Sequence, residues 1–198
     1  MAGFLTSLPR VVLAGLVLAG GLALLTFGLQ GYAAHAFWAF VFRWLHVLSA
    51  IMWVGLLFYF NFVQIPSMAK IPDDQKPAIG KVIAPAALWW FRWAAVATLA
   101  TGLVLAALNG YLARALTLGL TDGVPKHTMI GIGMWLGIIM WVNVWMVIWP
   151  NQKRALGLVE ADAQTKARAA RTALLVSRAN TALVFPMLFA MVSAQNLF

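Results

Sequence analysis

Two ionisable side chains lie one helical turn apart inside a long apolar stretch. Arg43 and His46 fall within residues 36–64, together with Asn61 and many aromatic and aliphatic residues. Because an ionisable group is costly to insert into a bilayer, such residues usually face a bundle interior and mark a site. The His46 imidazole can ligate haem iron, and the Arg43 guanidinium can pair with a haem propionate or another anion. The alternatives are an interhelical hydrogen bond for His46 and contact with outer headgroups for Arg43.

A later apolar stretch repeats part of this pattern. His127 is followed by Trp135, Gly137, Asn143 and Pro150, as His46 is followed by Trp53, Gly55, Asn61 and Pro66. The spacing from Trp to Gly to Asn is the same in both, and the next span opens with Arg92 or Arg178. The pattern predicts two parallel helical hairpins related by a pseudo-twofold axis along the membrane normal. Chance matching in a Trp-rich and Gly-rich sequence is the alternative.

These residues must be positioned by membrane-spanning helices. The chain has 198 residues, of which 63% are hydrophobic and 10% charged, which is not a soluble composition. A helix needs about 20 apolar residues to cross the bilayer. We therefore predict an all-α, polytopic membrane bundle that forms a single domain over residues 1–198. Its five spans are expected at about 10–30, 36–64, 88–109, 126–149 and 178–197, with connections at 65–87 and 150–177.

The positions of the charges predict the orientation. The net charge is +9, and most lysines and arginines fall in the alternate connections 65–87 and 150–177 or at their edges. By the positive-inside rule the N-terminus and both connections are cytoplasmic. The basic segments are therefore interpreted as topology signals and as candidate contacts for anionic lipids of the bilayer, and nucleic-acid binding is not expected. Tryptophans at the start of the third span indicate an interfacial belt, where we expect Arg92 to extend towards lipid phosphates.

The composition narrows the choice of cofactor. The chain has no cysteine, which excludes disulfides, thiolate metal sites and covalent c-type haem. Two histidines at a similar depth on parallel helices could ligate a b-type haem, with His46 and His127 as axial ligands of the iron. The Trp-to-His spacing is seven residues in one stretch and eight in the other, which separates the two rings by about 100° around the helix axes.

Three segments resemble a known family. They are Arg43-Trp-Leu-His46-Val, residues 143–152 (NVWMVIWPNQ), and Ser177-Arg178-Ala-Asn180-Thr181 with 186–189 (PMLF). Together they are similar to the membrane domain at the N-terminus of bacterial urate hydroxylases. The resemblance implies a membrane oxidoreductase unit that passes substrate electrons to a cytochrome c. Full-length members carry a c-type cytochrome domain, which we expect this chain to lack because it has no Cys-x-x-Cys-His. The candidate cofactor-binding residues are His46, His127, Arg43, Trp53, Asn143, Arg178 and Asn180.

Three functions stay open on this sequence. The first is a redox protein of the bacterial inner membrane that binds haem b and passes electrons between a small substrate or quinone and a cytochrome c. The second is a non-catalytic subunit of a larger respiratory or oxygenase complex. The third is a transporter for a small purine-like anion, which would use Arg43 and the asparagines and would need to oligomerise, since five spans are few for alternating access.

Overall fold

The structure is a computed structural model that describes residues 2–31 and 34–198. Within those ranges every regular element is helical, and five helices are long and apolar enough to cross a membrane. The predicted all-α architecture with five spans is confirmed. We number the helices α1 (Leu8–Gln30), α2 (Ala34–Ser67), α3 (Lys76–Leu108), α4 (Pro125–Ala155) and α5 (Ala163–Asn196). Two short helices, Ala2–Leu5 and Leu112–Leu116, accompany them.

Four of the helices extend well beyond their apolar stretches. Helix α2 continues to Ser67 and α3 begins at Lys76, while α4 ends at Ala155 and α5 begins at Ala163. Hydropathy identifies only the part of a helix that is apolar enough for the lipid core. The flanking polar residues continue the same helical backbone hydrogen bonding outside it. The start of α5 is fixed by Asp162, whose carboxylate accepts hydrogen bonds from the Thr165 backbone N–H at 2.7 Å and hydroxyl at 2.8 Å.

The chain divides into two compact units, Met1–Val41 and Phe42–Phe198, with the division inside α2. In the first unit, α1 is aliphatic and exposed along most of its length. It ends at Gly31, which adopts a left-handed conformation (φ 61°) and donates its N–H to the Phe27 carbonyl. The Phe27 and Phe37 rings pack edge to face, with centroids 5.1 Å apart.

The second unit contains four helices in which sequential neighbours run antiparallel. His46 near the start of this part of α2 contacts Thr98 of α3, whereas Phe60 further along α2 packs on Phe91, earlier in α3. The same reversal relates α4 to α5, because Asn143 bonds Asn180 while Gly133 faces Met191. Helix α2 is also antiparallel to α5, because Arg43 bonds Gln195 and Asn61 bonds Ser177. Helices α2 and α4 therefore run in the same direction. A core of large apolar side chains lies between the four helices, including Trp53, Leu57, Phe91, Met140, Ile148 and Val184.

Three of these helices contain a π-helical segment that ends two residues before a proline. The segments and prolines are Tyr59–Gln64 with Pro66, Ile79–Ile83 with Pro85, and Asn143–Ile148 with Pro150. In each, the residue before the proline donates its N–H to the carbonyl five residues back. A proline ring collides with the carbonyl four residues back, and widening the turn relieves that collision. Because the helices alternate in direction, all three prolines lie at one end, the proline end, and we call the opposite end the cavity end.

Two observations agree with the predicted repeat. Helices α2 and α4 run in the same direction, and each has a π-helical segment that contains its asparagine, Asn61 or Asn143. The asparagines nevertheless differ in their contacts. Asn61 donates to the Ser177 hydroxyl at 2.8 Å, and Asn143 donates to the Asn180 side-chain oxygen at 2.8 Å. Both asparagines therefore bond the same helix, α5, one turn apart. The repeat stays a prediction.

Candidate functional site

At the cavity end, the four helices of the Phe42–Phe198 unit surround a cavity of about 610 Å³. Most of its wall is apolar, with contributions such as Phe58, Leu99, Met134 and Met191 from the four helices. A few polar side chains interrupt this wall: Arg43, His46, Tyr111, Gln195 and Asn196. A concave, mostly apolar space with a small number of placed polar groups is typical of ligand and cofactor sites.

His46 lies on the cavity wall in one fixed orientation. Its Nδ1 donates to the Thr98 carbonyl oxygen at 2.9 Å, with the Thr101 hydroxyl 3.4 Å from the same nitrogen. Because a carbonyl oxygen only accepts hydrogen bonds, Nδ1 carries the proton in the neutral ring. The lone pair therefore resides on Nε2. A backbone hydrogen bond that fixes the tautomer in this way is typical of histidines that ligate a metal.

Gly102 makes this orientation possible. A methyl group built on Gly102 would lie 2.8 Å from His46 Cε1 and 3.0 Å from Nδ1, closer than non-bonded atoms approach. The imidazole therefore packs directly on the backbone of α3. Any side chain at position 102 would push the ring away from Thr98.

Arg43 and Tyr111 bring charge and a hydroxyl to the same cavity. Arg43 is exposed and its Nη1 donates to Gln195 Oε1 at 3.3 Å. Tyr111 lies outside the spans, where burial raises the pKa of its hydroxyl and the positive charge of Arg43 opposes that rise. Arginine beside an amide side chain offers several N–H donors to an anionic group of a ligand.

His127 is held on a separate set of groups. Its Nδ1 donates to Asp122 Oδ2 at 2.6 Å, and Arg114 Nε lies 3.6 Å from the same oxygen. Burial acts to raise the pKa of Asp122. The Val124 N–H, the His127 hydrogen bond and the charges of His127 and Arg114 outweigh it, so the pKa is lowered. The His127 ring does not line the cavity, but it stacks on Tyr111 with centroids 6.2 Å apart.

The other predicted residues take three different positions. Trp53 is 2% exposed and lines the cavity, and its indole N–H has no hydrogen-bond partner among the described residues. Asn143 and Asn180 lie away from the cavity wall and bond each other, and Asn180 also donates to the Met140 carbonyl at 3.0 Å. Arg178 is exposed on α5. The structure thus brings Arg43, His46 and Trp53 to one site and leaves the others outside it.

Residues 123–197 match the urate oxidase N-terminal family. The matched segment includes the whole of α4 and α5, and with them His127, Asn143, Arg178 and Asn180. Over this segment the resemblance inferred from the sequence is confirmed. No curated protein and no solved structure is significantly similar to the chain. Arg43 and His46 lie outside the segment that matches the urate oxidase N-terminal family, so the cavity combines matched helices with unmatched ones.

Four residues of the site were not among those predicted from the sequence. Thr98, Gly102, Tyr111 and Gln195 all line the cavity, yet each is ordinary in its local sequence. Thr98 and Gly102 lie one helical turn apart on the same face of α3. At that spacing a single histidine ring can contact both.

Proposed function

We propose that this chain is a urate-hydroxylase-related membrane redox protein that holds a b-type haem in the cavity. The observation that carries the proposal is the fixed His46 ring, with Nδ1 bonded to Thr98 and the Nε2 lone pair available at a large apolar cavity. Histidine is the commonest axial ligand of b-type haem. Bound there, the haem would supply one-electron transfer.

The residues present fit this group in three respects. The wall is apolar where a porphyrin ring would lie, and His46 offers an imidazole nitrogen to the iron. Arg43 and Gln195 stand together where propionates would need donors. The Trp53 indole N–H is buried without a partner on this wall, and a buried donor is costly to leave unsatisfied. A ligand that carries an acceptor would satisfy it.

Each residue then has a definite task. The Thr98 carbonyl keeps the proton on Nδ1, so that His46 presents a lone pair and not an N–H. Arg43 holds negative charge at the cavity end, and the apolar wall excludes water. His127 stays a predicted second axial ligand. In the neutral ring, the Nδ1 bond to Asp122 would leave a lone pair on Nε2, although the ring lies outside the cavity lining.

The test is a visible absorption spectrum of the detergent-purified protein from haem-replete cells, oxidised and then reduced with dithionite. We expect a b-type spectrum that His46→Ala abolishes and that His35→Ala, which removes an exposed histidine of the other unit, preserves. The His127→Ala spectrum decides whether that ring is the second ligand. A colourless, folded wild-type protein would overturn the haem proposal.

Electron transfer to a cytochrome c is tested separately. The dithionite-reduced protein, freed of excess reductant, is mixed with oxidised cytochrome c. We expect its reduced spectrum to decay as cytochrome c becomes reduced. Addition of a quinol to the oxidised protein tests the other side of the reaction. Haem that exchanges electrons with neither partner would contradict a role as an electron carrier.

The contact between Arg43 and Gln195 also favours a second candidate, a site for a small purine-like anion as part of transport. If the purified protein is colourless, urate should raise its melting temperature in the wild type and not in Arg43→Gln. Arg114→Gln is the matched control, because Arg114 bonds Asp122 outside the cavity. Equal responses in the two variants would contradict this candidate.

A further inference from the structure

A second unexplained group lies towards the proline end of the same unit. Arg92 was expected to extend outward along the surface. That orientation is wrong, because the residue is only 8% exposed. Its guanidinium carbon lies 3.3 Å from the centroid of the Trp149 ring. Stacking on an indole stabilises the cation and holds the guanidinium between α3 and α4, where it does not reach outward along the surface.

The Arg92 guanidinium is not satisfied by the protein. Its Nε and Nη1 atoms are buried and have no hydrogen-bond partner among residues 2–31 and 34–198. No carboxylate in these ranges lies within salt-bridge distance of it. A buried charge without a partner costs free energy, so this arrangement calls for an anion from outside the chain.

A second cation faces the same indole ring. Lys153 Nζ lies 5.6 Å from the Trp149 centroid, and it too has no carboxylate within reach among the described residues. Arg92 and Lys153 therefore place two like charges around one ring. Like charges held around one ring repel each other, and an anion that meets both would offset that repulsion.

The surroundings indicate which anion this is. Trp89, Trp90 and Trp93 flank Arg92 along α3, and each is about half exposed, at 48%, 55% and 49%. Exposed tryptophans of a spanning helix mark the level of the lipid headgroups. The lysines and arginines of 70–81 and 153–171 lie towards the same end of the helices. At this level the abundant anion is a lipid phosphate, and basic pockets between spans bind such headgroups.

We propose that Arg92, Trp149 and Lys153 form a binding site for the phosphate of an anionic phospholipid, seated between α3 and α4. The phosphate pairs with the positive charges of the Arg92 guanidinium and of the Lys153 ammonium. The acyl chains lie along the exposed apolar surface beside it, such as Met146, which is 64% exposed. This site is separate from the cavity and does not depend on haem.

The experiment compares nanodiscs of phosphatidylcholine alone with nanodiscs that contain phosphatidylglycerol or cardiolipin, followed by native mass spectrometry of lipids retained by the protein. We expect the wild type to retain the anionic lipid preferentially. Arg92→Gln and Lys153→Gln should each reduce that preference by about fivefold, the contribution of one basic group near an anionic headgroup. Arg178→Gln is the matched control. Arg178 is also an arginine of a spanning helix, α5, but its side chain is exposed.

Inorganic phosphate distinguishes a lipid from a soluble anion. If millimolar phosphate raises the melting temperature in phosphatidylcholine nanodiscs as much as phosphatidylglycerol does, the site takes a soluble anion and the lipid proposal is overturned. A wild type with no lipid preference, or an equal loss of preference in Arg178→Gln, would overturn it as well. Should Arg92→Gln fail to fold, Lys153→Gln at the edge of the site carries the same test.

Discussion

Replacement of Gly102 by alanine tests the packing that fixes the His46 ring. The added methyl group would lie 2.8 Å from Cε1 of the imidazole, so the ring has to move and its 2.9 Å bond to Thr98 is lost or weakened. An alanine in place of a helix glycine stabilises by about 1 kcal/mol. Overpacking costs about 1–3 kcal/mol, and loss of the hydrogen bond costs about 1 kcal/mol or more.

The net effect is therefore a destabilisation of about 1–3 kcal/mol. For a chain of this size that lowers the melting temperature by roughly 2–12 °C. The assay is thermal unfolding in detergent, followed by the fluorescence of the ten tryptophans. Gly137→Ala is the matched control, because Gly137 lines the same cavity and a methyl group there meets no atom within 4 Å. That variant should be as stable as the wild type or more so.

A double-mutant cycle separates this contact from other effects. In a His46→Ala background the obstructing ring is gone, so Gly102→Ala should no longer destabilise. The coupling between the two changes then measures the cost of displacing the ring. If Gly102→Ala is as stable as Gly137→Ala in the presence of His46, the imidazole does not pack on Gly102. The orientation and tautomer of His46 are then not fixed by this contact.

Two further predictions concern α5. Asn180→Ala should destabilise by about 1–3 kcal/mol, because Asn180 is fully buried and the half-buried Asn143 amide loses its acceptor. Asn109→Ala, whose side chain bonds only its own helix, should have little effect, and equal melting temperatures would contradict the prediction. The hydrogen bonds that Thr165 donates hold the pKa of Asp162 below its usual value, so its stabilising effect is present above about pH 4 and is lost as the pH falls further. Asp162→Asn keeps a cap without this titration, and its melting temperature should fall less on acidification than that of the wild type, whereas parallel profiles would contradict the assignment.

The spans could be predicted from the sequence because a lipid environment leaves the backbone few choices. A long apolar run must satisfy its own N–H and C=O groups, so it becomes a helix whatever its neighbours are. Arg43 and His46 could be identified for a related reason, since ionisable groups stand out against an apolar background. Composition was also sufficient to exclude cysteine-based chemistry.

The partners of these residues could not be predicted. Gln195 is 152 positions from Arg43, and only the antiparallel arrangement of α2 and α5 brings them together. The burial of Arg92 was missed for the same reason, because Trp149 lies on another helix. Local periodicity records which residues are apolar, and it carries no information about which distant helix a polar residue meets.

The π-helical segments give the two ends of the Phe42–Phe198 unit different mechanical properties. At the proline end, three of four helices have a widened turn in which a proline removes one N–H donor. The carbonyls freed there lie near headgroup level and can exchange partners with water, whereas the parts of α2 and α3 around His46 keep regular α-helical hydrogen bonding. Amide hydrogen exchange should therefore be fast in the turns before Pro66, Pro85 and Pro150 and slow around His46. Motion of the connections at the proline end would then be absorbed before it reaches the cavity.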